Sequence, residues 1–312
     1  MRIRFAWNLA LLACTTILLP LAIGCSDDPA QQPPTTSSSS SSGGGAGGAG
    51  GAGGGANSQA VEINFEARVD NMPFHCTDKY PSLGMAGTEV SLTDFRLYVH
   101  DVRLTTSDGQ EVPVELEQDG KWQYQSVVLL DFEDKTGGCA NGTTDLNTKI
   151  IGKVPPGTYT GLVFKVGVPF DLNHSDAASA PSPLNLTGLF WSWNDGYKFL
   201  RIDSIPTAGG SPFLAHLGST ECMADANGKI TSCARENRPV VQWSMFDTAT
   251  NKVVIDYAAL VANNDLTVNG GGAPGCMSSK DDPECASLLG QLGIHIQDGT
   301  VHAEEQRAFV KE

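Results

Sequence analysis

The run Val61-Glu-Ile-Asn-Phe-Glu-Ala-Arg-Val69 alternates apolar and polar residues without a break, and parts of residues 89–104, 157–166 and 240–246 do the same. Successive side chains of a strand point to opposite faces, so a period of two builds a sheet with one apolar face that must be buried against another layer. Helical periodicity is confined to two short stretches, residues 256–262 and 283–292. Ser107-Asp-Gly109, Gln118-Asp-Gly120, Pro155-Pro-Gly157 and Asn227-Gly228 supply turn chemistry between the strand-like runs. Short strands punctuated in this way predict an all-β chain, an antiparallel β-sandwich of the immunoglobulin-like class with minor helix. No internal repeat is present.

One further hairpin is predicted in Leu189-Phe-Trp-Ser-Trp-Asn-Asp-Gly-Tyr-Lys-Phe-Leu-Arg-Ile-Asp203. Trp191 and Trp193 share one face, Ser192 takes the other, and Asn194-Asp195-Gly196 forms the turn. Aromatic stripes of this kind are expected in a core.

The N-terminal part is of another nature. Arg2 and Arg4 precede an uncharged apolar run, residues 5–23, and then Gly24-Cys25. Residues 1–24 resemble a bacterial lipoprotein signal, with Cys25 as the acylated new N-terminus. The apolar run is also nearly long enough to span a bilayer, so an uncleaved anchor is the other reading. Both put the remainder outside the cytoplasm, as a membrane-anchored periplasmic, outer-membrane or cell-surface protein. Residues 25–58, rich in Ser, Gly, Ala, Pro and Thr, form a tether that cannot bury enough apolar surface to order itself. Residues 59–312 are expected to form a single domain, with an atypical C-terminal extension from about residue 265.

The formal charge is −15, and removing Arg2 and Arg4 with a signal that holds no acid takes it to −17. Such a balance argues against nucleic acid and against anionic head groups as partners, leaving membrane contact to the lipid alone. Of the eight cysteines, Cys14 and Cys25 fall in the signal and at the acylation position, leaving Cys76, Cys139, Cys222, Cys233, Cys276 and Cys285. An even number in an exported chain indicates disulfides. Cys222/Cys233 and Cys276/Cys285 are close enough in sequence to staple loops, with Cys76/Cys139 as the long bridge, one of fifteen possible pairings. No spacing is the CxxC of a zinc site.

Among the six histidines, His100, His174 and His216 lie on strand-like runs or where a strand leaves into a loop. Each alone reads first as a hydrogen-bonded structural residue. Brought to one edge of a sandwich, they would suit copper, zinc or nickel. Gly-x-Ser-x-Gly, HExxH and phosphate-binding glycine loops are missing from the sequence, so no enzymatic constellation is expected. Asp131-Phe-Glu-Asp134 and Asp225-Ala-Asn-Gly228 lack EF-hand spacing and read as solvated loops, without calcium.

Five phrases in order resemble one family: Asp94-Phe-Arg-Leu-Tyr-Val-His-Asp-Val102, Leu130-Asp-Phe-Glu133, Gly167-Val-Pro-Phe-Asp-Leu-Asn-His174, Phe190-Trp-Ser-Trp-Asn-Asp-Gly-Tyr-Lys-Phe199 and His216-Leu-Gly-Ser-Thr-Glu-Cys222. They resemble the MbnP-like copper-binding family, the four-cysteine members of a "metallo-mystery pair". The resemblance implies an exported all-β protein encoded beside a di-haem, MbnH-like relative of the bacterial cytochrome c peroxidases, which oxidises a tryptophan of its client to kynurenine. It implies that the four family cysteines are Cys76, Cys139, Cys222 and Cys233. It also implies copper, as Cu(I), on His100 and His174 with His216 as a third candidate, and oxidation of Trp191 or Trp193. Distant members carry the tryptophan two residues before a ligand histidine, where this chain has Tyr98. Asp101 or Asp171 is expected to orient a ligand ring. The resulting expectation is a non-enzymatic, lipid-anchored copper-binding protein, the client of a di-haem oxidase, acting in copper binding or acquisition. The alternative is a β-sandwich lipoprotein for adhesion or ligand binding, whose Trp191, Trp193 and Tyr197 form a contact surface.

Overall fold

The computed structural model describes residues 57–140, 142–192 and 194–312. The signal, Cys25, the tether as far as residue 56, and Trp193 lie outside the described residues.

Strand Gln59–Val69 buries Val61, Ile63, Phe65, Ala67 and Val69 and turns Glu62 and Asn64 to solvent, as its alternation requires. It lies at the centre of a first sheet. Lys252–Asp256 joins it in parallel, with Phe65 opposite Val253, and Lys149–Val154 antiparallel, with Ile63 opposite Ile150. Phe309–Lys311 and Glu115–Leu116 flank these two strands.

The second sheet runs in the order Val240–Trp243, Gly161–Val166, Thr88–Thr105, Leu200–Pro206, Phe213–Leu217, Gly275–Cys276. Its spine is the 18-residue strand Thr88–Thr105, which also pairs with Val127–Asp131. This strand carries two irregularities. Its register shifts where Asp203 and Ser204 face it, and again opposite Val163 and Lys165, where Asp101 takes a φ of 52°. A bulge inserts one residue and switches the parity that faces the core. The buried apolar series accordingly reads Val90 and Leu92, then Phe95, Leu97 and Val99, then Val102 and Leu104.

The two sheets meet through aromatic side chains. Phe164 of the second sheet lies edge-on to Phe65, with centroids 5.7 Å apart, and to Phe309, 5.9 Å away. Such pairs add about 1 kcal/mol each to what their burial contributes. Two short helices fall where sequence periodicity put them, at Tyr257–Leu260 and Cys285–Gln291, and a third, Phe170–Asn173, forms where none was expected. The first is capped by the Asp256 carboxylate, which accepts from the Ala258 N–H, and its Tyr257 hydroxyl lies 2.7 Å from Ser204 Oγ in the second sheet.

All six cysteines pair as the local rule suggested: Cys76–Cys139, Cys222–Cys233 and Cys276–Cys285. The segment past residue 265 is built into the same body. Cys276 belongs to a strand paired in parallel with Phe213–Leu217, Phe309–Lys311 completes the first sheet, and Leu288, Leu289, Leu292 and Ile294 join the hydrophobic core.

Cys76–Cys139 spans 63 residues. Closing a loop of that length removes about 4 kcal/mol worth of unfolded-chain entropy. A C76A/C139A double variant is therefore expected to unfold at a distinctly lower urea concentration, with the other two bridges intact. An unchanged midpoint would contradict this.

Candidate functional site

Between its bulges the long strand is buried on both faces. Phe95, Leu97 and Val99 face the sandwich core, so Asp94, Arg96, Tyr98 and His100 alternate onto the outer face. That face is covered by later segments rather than by solvent. The Tyr98 hydroxyl donates to the Pro183 carbonyl at 2.9 Å, the Tyr197 hydroxyl lies 2.5 Å from the Leu184 carbonyl oxygen, and the two tyrosine rings meet edge-on at 5.7 Å.

Register turns this face into an ionic ladder. Arg96 stands opposite both Asp131 and Arg201, and Arg201 stands opposite His216. Arg96 Nε lies 2.9 Å from Asp94 and 3.0 Å from Glu133, while Arg201 lies 3.0 Å from Asp94 and 2.7 Å from Asp203. The ladder ends at His216, whose Nε2 is 2.7 Å from Asp203 Oδ1. Four carboxyls thus face two guanidiniums and one imidazole in a dry layer. Burial pushes Asp131 up to about 7 and Glu133 up to about 8, and it also raises Asp94 against the pull of Arg96. Burial acts on Asp203 as well, but His216 and Arg201 outweigh it and hold that carboxyl below its ordinary range. Asp131 and Glu133 are therefore not in the solvated loop expected from sequence, because strand pairing carries them under the covering segment. Asp225 does behave as expected: it is exposed and accepts from the Asn227 and Lys229 N–H groups.

His100 sits one step beyond the ladder. Its Nδ1–H donates to the Gly167 carbonyl at 2.8 Å, which leaves the lone pair on Nε2. Burial, helped by the positive charge of Arg238, lowers it to about 4, so the ring is neutral at neutral pH. The carbonyl does what a carboxylate was expected to do, because Asp101 is engaged by Arg103 at 2.8 Å and Lys165 at 3.1 Å. Seven residues after Gly167, the helix Phe170–Asn173 delivers His174. Its Nε2 is 3.2 Å from the Asn173 side-chain nitrogen and 3.4 Å from Cys233 Sγ, and its ring lies edge-on to Phe170. Cys233 and Cys222 are bonded to each other, so they offer no thiolate.

The aromatic hairpin forms with Phe190 opposite Tyr197 and Ser192 opposite Gly196. Asn173 anchors its turn, accepting from the Tyr197 N–H at 2.9 Å and donating to the Asp195 carbonyl at 3.2 Å. Gly196 has a φ of 80°, and a Cβ there would fall 2.4 Å from the Asn173 side chain, so only glycine fits. Trp191 is not a core residue: it is half-buried and lies edge-on to His216 at 6.0 Å. Tyr197 is fully buried, which removes it from the contact surface of the alternative reading. The return strand also ends early, and Leu200–Pro206 joins the second sheet instead.

His100 and His216 thus lie on the covered face of the second sheet, while His174 stands at the end of the helix Phe170–Asn173 beside Cys233. Among the described residues, no group of three ligating atoms within 4.8 Å contains His100 or His216. Asp94, Arg96, Arg201, Asp203, Gly167, Asn173 and Arg238 went unassigned from sequence, although Asp94, Arg96, Gly167 and Asn173 lie inside the phrases that carried the resemblance. The alternation of Asp94, Arg96, Tyr98 and His100 within an apolar strand was the available signal.

Fold and site define a disulfide-stapled β-sandwich protein with a histidine-bearing polar face sealed beneath loops. The MbnP family model matches residues 58–278, and the chain belongs to that family. Its fold is similar to the solved structure of MbnP from Methylosinus trichosporium, with a TM-score of 0.71 and 32% identity over 82% of this chain and 98% of that one. Among curated proteins none matches.

Asp131 and Glu133 bind their protons more tightly folded than unfolded. The stabilisation they bring is complete below about pH 4 and is withdrawn as pH rises through about 7 to 8. The thermal midpoint is expected to fall between about pH 5 and about pH 9, and to fall less in Glu133→Gln. A midpoint in Glu133→Gln that tracks the wild type across this range would contradict the assignment.

Proposed function

We propose that this protein is an exported, lipid-anchored copper-binding protein and the client of a di-haem oxidase that converts one tryptophan to kynurenine. The observation that carries the reading is the state of His100: a buried, neutral imidazole whose Nδ1–H is pinned by the Gly167 carbonyl. A ligand histidine needs its second nitrogen held in this way, since the hydrogen bond fixes the tautomer and aims the lone pair. His100 and His174 would hold the metal, both set by the one connection from Gly167 to His174. His216 meets the same test in part, because Asp203 fixes Nε2 while the buried Nδ1 has no hydrogen-bond partner among the described residues. Imidazole donors suit Cu(I), which supplies a soft, low-coordinate, redox-active centre.

The client role rests on the hairpin. Oxidation of an indole by a separate protein requires a ring that the partner can approach, and Trp191 is half-buried beside His216. Trp193 is the second candidate. The acidic chain, −15 over the full sequence, suits steering toward a basic cytochrome face, with an association rate that falls as salt rises. The protein's own residues would bind and shield the metal and present the tryptophan, with turnover belonging to the partner.

Cu(I) competition titration tests the metal, with at least a tenfold loss of affinity expected in His100→Ala. Unchanged affinity in that variant, with loss in His216→Ala, would move the site to the end of the ladder. Peptide mass mapping of residues 189–201 in protein from its own host tests the client role. A kynurenine appears as the loss of one carbon and the gain of one oxygen on a single tryptophan, and intact Trp191 and Trp193 would count against it.

A further inference from the structure

Beyond residue 278, where the family model ends, the chain gathers a second set of ligating side chains. His295, His302 and Glu305 each offer one atom, and these atoms lie within 4.8 Å of one another. The backbone fixes this arrangement. Ile294 and Val301 form an antiparallel bridge, the His302 N–H donates to the Gly293 carbonyl at 2.7 Å, and the His295 N–H donates to the Thr300 carbonyl at 2.9 Å. Gly293 allows the two limbs to meet, since its φ is 72° and a Cβ would lie 2.3 Å from the His302 carbonyl oxygen. One turn of 3-10 helix, Ala303–Glu305, then brings the carboxylate round.

An ordinary surface ion pair accounts for only part of this. His295 Nε2 lies 2.7 Å from Glu305 Oε2, and that contact needs one imidazole. The second ring stacks on the first with centroids 4.1 Å apart and planes 20° from parallel. The second ring adds nothing to that ion pair. A divalent cation uses both at once and neutralises the carboxylate. Further support comes from Thr300 Oγ1, 3.1 Å from His302 Nε2, which orients that ring by one nitrogen and leaves the other for a metal.

We propose that His295, His302 and Glu305 form a second metal site, for a divalent cation of borderline softness such as Zn(II). Two imidazoles and a carboxylate are a donor set for Zn(II) or Cu(II), whereas a hard carboxylate disfavours Cu(I). Tetrahedral bonds of about 2.0 Å set the ligating atoms roughly 3.3 Å apart, so the 2.7 Å contact between His295 and Glu305 opens slightly around the ion. His295 and Glu305 are exposed side chains and make that adjustment without disturbing the core. The site is separate from His100, His174 and His216 in the chain, so the two metal assignments stand or fall independently.

Calorimetric titration of the mature protein with Zn(II) alone tests the proposal. A site of micromolar affinity is expected, weakened about tenfold or more in both His302→Ala and Glu305→Gln, and unchanged in His75→Ala, which removes an exposed imidazole elsewhere. Zinc binding that matches the wild type in both C-terminal variants overturns it, as does zinc binding lost in His75→Ala alone. Glu305→Gln keeps the test decisive if His302→Ala fails to fold, because it alters one exposed side chain.

Discussion

Burial of the long strand on both faces is the constraint from which the rest follows. Phe95, Leu97 and Val99 are committed to the sandwich core, so Asp94, Arg96, Tyr98 and His100 must be accommodated on the other side without water. A guanidinium taken out of water costs several kcal/mol unless its donors and its charge are met. Asp94 and Glu133 meet Arg96, Asp94 and Asp203 meet Arg201, and the excess of acid is relieved by raised affinity for protons at Asp131 and Glu133. The covering segments depend on the same ladder: Glu133 tops it beneath the following loop, and Tyr98 and Tyr197 close it through the Pro183 and Leu184 carbonyls.

The sealed layer also sets the chemistry of its histidines. Burial and the nearby Arg238 keep His100 neutral, and the Gly167 carbonyl leaves a single nitrogen available. Arg238 is held by the same segment, donating to the Val168 carbonyl at 2.8 Å while it lies over the Phe199 ring at 5.1 Å. A short connection therefore positions one imidazole, the cation beside it and, through the helix Phe170–Asn173, a second imidazole. At the other end of the face, Asp203 orients His216 against Trp191. Both ends use the same device: a fixed acceptor on one ring nitrogen.

Much of the architecture was written in the sequence. The alternation of residues 61–69 specifies a strand with one buried face, and the even number of cysteines indicated disulfides, which the fold forms in the one of fifteen pairings that short spacing favoured. Two of the short helices were equally legible, because Asp256 caps one and Cys285 opens the other. The phrases containing His100, His174, His216 and the paired tryptophans carried the family, and the match over residues 58–278 agrees.

Partners across the sheet were not legible. Arg96 meets Asp131, and Arg201 meets His216, only because two bulges set the register of a strand that pairs on both edges. One residue more or less would turn those charges into the core. The burial of Asp131 and Glu133, the half-exposure of Trp191 and the substitution of a Gly167 carbonyl for Asp101 all come from that register and from the loops that settle on it. Local sequence determined which segments are strands and turns, since period and spacing act over a few residues. Tertiary structure alone decided which polar groups lose water and which neighbours replace it, because desolvation depends on residues far apart in the chain.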